Sequence, residues 1–180
     1  WYHFNANGLM DYGWFRDEHM NWYYCNAKKD GWLGKMKTGW HYDEVDKHWY
    51  YLDLITGQMV MGWKEIGGKW YLFDINGYML TGWQWKNDRE YYLTSNGDMV
   101  TGWLQFNRIW YYLDPEKGKL TGQWLQQGND WYYLNPDGSM AAGWLQWQGN
   151  WYYLDPSSGQ MVRDKAVDQH YVNQAGIWVP

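Results

Sequence analysis

Along most of the chain, aromatic and aliphatic residues alternate with polar ones over four or five positions. The alternation then stops at a cluster of Asn, Asp, Gly or Pro and begins again. Residues 102–114, Gly-Trp-Leu-Gln-Phe-Asn-Arg-Ile-Trp-Tyr-Tyr-Leu-Asp, show the pattern. Alternation with a period of two over so short a run predicts half-buried strands, and the polar pair between two such runs predicts a hairpin turn. The segments that follow, Asp-Pro-Glu-Lys-Gly at 114–118 and Asn-Pro-Asp-Gly-Ser at 135–139, have the Pro and Gly chemistry of a tight reversal. Each unit therefore reads as a β-hairpin plus a connecting turn. One hairpin alone is marginal in water, so these units have to bury their faces on each other.

Self-similarity decides the architecture. A Gly-Trp marker, with Gln123 interposed at the sixth copy, places tryptophans at 14, 40, 63, 83, 103, 124 and 144. An aromatic triplet follows each: 22–24, 49–51, 70–72, 90–92, 110–112, 131–133 and 151–153. A Gly-x-Met marker closes many units, as at Gly57-Gln58-Met59, Gly97-Asp98-Met99 and Gly138-Ser139-Met140. A period near 20 residues signals a solenoid whose neighbours share a core.

The expected organisation is one module over 1–180: a partial repeat at 1–12, about seven repeats over 13–162, and a capping half-repeat at 163–180. The half-repeat "WYHFNANGLM" at the start predicts that the chain was cut from a longer one. The two early repeats are longer, and the insertion "NAKKDGWLG" is expected as an exposed bulged turn in which Trp32 has no counterpart elsewhere.

In a strand, residues two apart share a face. Trp110 and Tyr112 therefore point one way, Tyr111 and Leu113 the other. The Leu-bearing face is the expected spine, with Leu52, Leu93, Leu113, Leu134 and Leu154 in one slot and Cys25 taking it in the first triplet, where a free thiol behaves as a small hydrophobe. Middle tyrosines such as Tyr111 and Tyr132 are expected in that spine. The opposite face then offers Trp and Tyr together.

Composition strengthens this picture. Trp and Tyr number 18 each against four Phe, and aromatic rings rather than aliphatics have to supply the buried area. A net charge of −5 without clustered Lys and Arg argues against a nucleic-acid partner. No run of about 18 apolar residues is present, so membrane insertion is not expected. Cys25 is the lone cysteine, which excludes a disulfide framework, and the five histidines lack metal-ligand spacing. No metal and no cofactor is expected. Asp53, Asp74, Asp114 and Asp155 recur at one repeat position, which suits turn capping and not a unique acid–base pair, so no catalytic residue is assigned.

Converging rings without a carboxylate among them have a specific use. Their negative π-faces attract a bulky, weakly hydrated cation, and quaternary ammonium is that ion. At about 1 kcal/mol per ring, three or four contacts give roughly millimolar affinity per site. Several such sites on one chain gain by avidity toward a polymer carrying many such groups.

Gly-Trp, six residues, Trp-Tyr-Tyr-Leu and then Gly-x-Met resembles the choline-binding repeats of streptococcal surface proteins, cell-wall hydrolases and phage lysins. The resemblance covers nearly the whole chain. It implies an all-β, left-handed β-solenoid of stacked hairpins, outside the cell and associated with its wall, that binds choline or phosphocholine on teichoic and lipoteichoic acids and anchors an attached domain. It also implies a site between consecutive repeats, with two Trp from one repeat, the last triplet Tyr from the next, and a Met closing the cage. Carried over, the cages are Trp14, Trp22 and Tyr51; Trp63, Trp70 and Tyr92; Trp103, Trp110 and Tyr133; Trp124, Trp131 and Tyr153; and Trp144, Trp151 and Tyr171. Their expected walls are Met59, Met99, Met140, Met161 and finally Trp178.

Two junctions depart from the pattern. Trp40 and Trp49 are expected to meet Leu72 and bind weakly. Trp83 and Tyr112 lack a second Trp because Glu90 stands there, with Trp85 as a substitute ring. A choline-dependent dimer, as in some relatives, is a further expectation. The competing function is a glucan- or other glycan-binding repeat. Doubled Trp at seven-residue spacing (63/70, 103/110, 124/131 and 144/151, with 83/90 broken by Glu) favours choline. The module itself is not expected to be an enzyme.

Overall fold

The computed structural model describes residues 1–179 and contains strands and turns only. Eight antiparallel hairpins follow one another: Gly13–Arg16 with Trp22–Cys25, Gly39–Asp43 with His48–Leu52, Gly62–Ile66 with Lys69–Phe73, and Gly82–Lys86 with Arg89–Leu93; then Gly102–Phe106 with Ile109–Asp114, Gln123–Gln127 with Asp130–Leu134, Gly143–Trp147 with Asn150–Leu154, and Lys165–Val167 with His170–Val172. The tight turns are two residues long where the sequence permits left-handed backbone. Asn107 and Arg108, at φ of 50° and 68°, form one such turn, and both angles match the primed turn that suits strand twist.

The chain divides into two compact units, residues 1–84 with 92–99 and residues 85–91 with 100–179. In each, the hairpins stack as a β-solenoid. In the first unit, the Gly-x-Met backbone N–H groups reach back one repeat: Met59 donates to the Trp22 carbonyl at 2.8 Å, Met79 to Trp49 at 2.9 Å and Met99 to Trp70 at 2.8 Å. The opening half-repeat keeps this frame, since Met36 N–H donates to the Trp1 carbonyl at 2.8 Å. In the second unit, Met140 donates to Trp110 at 2.8 Å and Met161 to Trp131 at 2.7 Å.

One column of side chains is sealed from water. Cys25, Leu52, Phe73 and Leu93 in the first unit, and Leu113, Leu134, Leu154 and Val172 in the second, are each at most 1% exposed. The expected spine slot is therefore occupied as the period predicts, with Phe73 and Val172 added to it. The methionines add a second seam. A methyl group placed on Gly77, whose φ is +81°, would lie 2.5 Å from Met59 Sδ, so the glycine is needed both for its backbone angle and for the sulfur packed on it.

The C-terminal segment differs from expectation. Residues 165–167 lack a Gly-Trp marker but still pair with 170–172, and Trp178–Val179 adds a third strand. A short full hairpin replaces the expected half-repeat, because backbone pairing needs no ring at that position. The insertion after Cys25 is exposed over residues 27–32, as predicted for its middle, while Asn26 and Gly34 at its ends are buried; Trp32 is 57% exposed, with the Lys35 ammonium 4.2 Å from its ring centroid.

The recurring carboxylates cap turns. Asp155 Oδ1 accepts from the Ser157 and Ser158 backbone N–H groups at 2.9 and 3.0 Å, and Asp114 Oδ1 from Glu116 and Lys117 at 2.9 and 2.8 Å. The Ser157 hydroxyl, followed by these N–H groups, holds Asp155 down at about 2, and the Lys117 N–H does the same in direction for Asp114. A carboxylate depressed on folding adds stability that is complete above its unfolded value near ~4. That stability is lost as pH falls toward the folded value. The melting temperature is therefore expected to decline between pH ~4 and ~2, and to decline less in Asp155→Asn, which keeps the capping oxygen without the charge. Circular dichroism melts at successive pH values check this, and a flat profile would rule out ionised caps.

Candidate functional site

Strand register determines which rings meet. Trp103 lies opposite Tyr112 in its own hairpin, and Trp124, Trp144 and Trp40 likewise lie opposite Tyr133, Tyr153 and Tyr51. Each such pair makes an edge-on contact, with centroids 5.2 Å apart for Trp40–Tyr51, 5.3 Å for Trp124–Tyr133 and 5.1 Å for Trp144–Tyr153. Trp83 and Tyr92 do the same at 5.1 Å. The last tyrosine of a triplet thus belongs to its own tryptophan.

The ring that crosses to the neighbouring hairpin is the middle one. Tyr50 lies 4.6 Å from Trp14, Tyr71 4.9 Å from Trp40, Tyr132 4.9 Å from Trp103 and Tyr152 5.0 Å from Trp124. At the C-terminus His170 takes this place, 5.6 Å from Trp144. This corrects the expected cages by one residue: Tyr51, Tyr92, Tyr133 and Tyr153 contact the tryptophan of their own hairpin and not that of the preceding one, Tyr171 is displaced likewise, and Tyr132 is not merely spine. Tyr171 faces Ala166 in its own hairpin and its hydroxyl donates to Asp164. The physical reason is the pleat. The middle residue shares its face with the spine leucine, and that face is the one turned to the preceding hairpin.

The same shift corrects the Trp40 junction. Leu72 is buried opposite Trp63, and Trp40 and Trp49 instead meet Tyr71. Trp40 and Trp49 stand nearly perpendicular, at 86° and 6.2 Å. Together with Tyr71, Met79, Ser95 and Asn96 they line a cavity of about 410 Å³. Its two tryptophans are 38% and 45% exposed, so ring faces remain open to water, whereas Tyr51 is 5% exposed. Met79 both lines this cavity and packs on Gly97, so spine and wall are one role here.

A second cavity, about 290 Å³, is lined by Trp14, Trp22, Tyr50 and Met59 with Asp46, Ile75 and Asn76. Here the expectation of rings without a carboxylate is corrected, because the longer turn between Asp43 and His48 brings Asp46 to the rim. The Tyr50 hydroxyl donates to Asp46 Oδ2, and burial followed by this carboxylate raises the Tyr50 pKa. The Trp14 indole N–H donates to Asp43 Oδ2 at 2.7 Å. Burial lowers the pKa of His41, packed 4.0 Å from Tyr24, and so favours its neutral form. A longer hairpin turn is the only sign of these polar groups in the sequence.

A third cavity, about 380 Å³, lies among Trp144, Trp151, His170 and Trp178. Trp178 forms one wall of it. His170 Nδ1 donates to the Asp168 carbonyl at 2.7 Å, which fixes the ring's orientation.

Trp103–Trp110 and Trp124–Trp131 both have centroids 6.4 Å apart, and Met140 and Met161 are bonded to Trp110 and Trp131 through their backbones. Trp70 is 44% exposed and its carbonyl accepts from Met99, while Trp63 shares its hairpin. Tyr112 contacts Trp103 at 5.2 Å. Glu90 is ion-paired with Lys119 at 2.5 Å. Trp85 is 69% exposed, which places it as a surface ring.

Known proteins carry the same repeat. A model of the choline-binding repeat matches residues 60–93, 80–121 and 120–165, and a cell wall binding repeat matches 1–10 and 38–54. CbpJ from Streptococcus pneumoniae is 43% identical with a TM-score of 0.85, over 99% of this chain and 61% of that one. CbpF in complex with ipratropium is 39% identical with a TM-score of 0.81, over 99% of this chain and 62% of that one. The choline-binding domain of CbpL from Streptococcus pneumoniae is 32% identical with a TM-score of 0.70, over 100% of this chain and 92% of that one. The chain spans about three-fifths of the length of CbpJ and CbpF. No curated protein matches it.

Proposed function

The chain belongs to the choline-binding repeat family, and from that premise we propose that it is a non-catalytic module that binds choline and phosphocholine headgroups in the cages between its hairpins. The observation that carries this is the Trp40–Trp49–Tyr71–Met79 cavity, in which open ring faces converge and Ser95 and Asn96 stand at the rim. Ring faces offer a cation its attraction without requiring hydrogen-bond donors, which a quaternary ammonium lacks. Ipratropium, the ligand of the CbpF complex, is itself a quaternary ammonium.

The ligand-bearing polymer under this reading is teichoic or lipoteichoic acid, and the location is the outer face of the cell wall. Weak sites recurring along one chain suit such a polymer, since engagement of one headgroup raises the effective concentration of the next. An attached domain would thereby be held at the wall, and a choline-dependent dimer belongs to the same reading.

Calorimetry with choline against 3,3-dimethylbutanol, which has the same shape without the charge, tests the reading. Millimolar binding of choline with at least a tenfold weaker response to the neutral isostere is expected. Equal binding of the two, or retention on dextran but not on a tertiary-amine matrix, would overturn it.

The C-terminal cavity provides a further prediction. His170 presents a smaller ring than the tyrosine at this position elsewhere. His170→Tyr is expected to tighten choline binding there by roughly threefold, as an added phenol face strengthens the cation contact. Quenching of Trp144 and Trp151 fluorescence reports it, and unchanged affinity would remove His170 from the cage.

A further inference from the structure

One junction differs from the others in two residues at once. In hairpin after hairpin the residue opening the triplet is Trp, and its carbonyl accepts from the Gly-x-Met methionine of the next repeat. At residue 90 the tryptophan is replaced by Glu, and at 119, in the matching position of the next repeat, the methionine is replaced by Lys. These two side chains meet, with Lys119 Nζ 2.5 Å from Glu90 Oε2.

The lysine does two jobs. Its methylenes take over the packing of the missing methionine: a methyl group on Gly138 would lie 2.9 Å from Lys119 Cδ and Cε, much as one on Gly176 would lie 2.7 Å from Met161 Sδ. Its tip places an ammonium 5.6 Å from the centroid of Tyr111, the middle tyrosine of its triplet, which in other hairpins is the ring that crosses to a neighbour. The Lys119 side chain is only 16% exposed and that of Glu90 27%. A positive group, a ring face and a shielded position therefore already coincide here.

We propose that Lys119 supplies this junction with an intramolecular cation in place of choline, so that the Glu90–Lys119 junction takes no ligand and is closed without one. This rests on the choline reading of the other cages. An incoming trimethylammonium group would have to displace an ammonium that donates hydrogen bonds to a carboxylate, and it has no N–H with which to replace them. Removing one partner alone would leave a shielded charge unpaired, so the two residues are expected to change together.

The test is calorimetry and choline-soaked crystallography on the full chain and on Glu90→Trp/Lys119→Met, which restores the residues that the other junctions carry. The number of choline molecules bound is expected to rise by one in the double variant, with density beside Tyr111. A double variant that folds and binds the same number as the parent overturns the inference. Lack of choline binding by the parent at any junction would instead refute the proposed function. If the double variant does not fold, nitrogen-detected NMR of Lys119 in the parent decides. An ammonium signal unmoved at saturating choline supports the proposal, and a saturable shift of Lys119 overturns it.

Discussion

Trp49→Ala is expected to weaken choline binding at the Trp40–Trp49–Tyr71–Met79 cavity at least tenfold while leaving the fold intact. Trp49 is 45% exposed, far more open than the sealed column, and it presents that open face toward the cavity. Removing one of three ring faces should weaken that site by at least tenfold, or about 1.4 kcal/mol, the size of one good cation–π contact. Tyr51→Ala is the contrasting control. Tyr51 is 5% exposed and edge-on to Trp40 at 5.2 Å, so its loss opens a cavity in the hairpin and should destabilise the protein by about 3 kcal/mol. Choline calorimetry and thermal melts on both variants separate the roles. Unfolding of Trp49→Ala, or unchanged binding by it, would show that this ring is core and not cage.

Leu134→Ala carries the largest expected loss of stability. Its side chain is 0% exposed in the sealed column of the second unit, close to Leu154 and Leu113 in repeat order. Truncating a fully buried leucine to alanine removes contact area and leaves a void, a loss of about 2–5 kcal/mol. In a stacked-repeat protein each hairpin is held by its nearest neighbours, so damage at one level weakens both interfaces it makes. Urea denaturation should show a lower midpoint, and added choline should recover part of it, because a ligand bound only to the folded chain stabilises it by mass action. A variant as stable as the parent would mean that the leucine column is not the spine.

The leucine column and the aromatic cage differ in how far short-range alternation specifies them. The leucine slot was legible because a spine residue must be apolar at every level, and the 20-residue period repeats it at 93, 113, 134 and 154. Cys25 and Val172 confirm that the slot asks for apolarity and not for one residue type, since both are 0% exposed. The turn-capping aspartates were legible for a similar reason, as each acts within a few residues of itself. The tyrosine that crosses between hairpins was not legible. Alternation says that Tyr50 and Tyr51 point to opposite faces, but only hairpin register shows that Tyr51 lies across from Trp40 while Tyr50 reaches Trp14.

Polar departures from the repeat were harder still. Asp46 enters a cavity lined by Trp14 and Trp22 because the turn preceding His48 is longer than its two-residue counterparts, and length alone does not say where a carboxylate will land. Glu90 and Lys119 are 29 positions apart, and each alone reads as a flaw in the pattern; their 2.5 Å contact makes them a pair.

By itself, then, the sequence determined the hairpin unit, its period, the buried column and the supply of open aromatic rings. These follow from short-range alternation and turn chemistry repeated along the chain. Which rings converge, which carboxylate joins them and which junction pairs Glu90 with Lys119 depend on strand register and on contacts between residues a full repeat apart, and these emerge only in the folded chain.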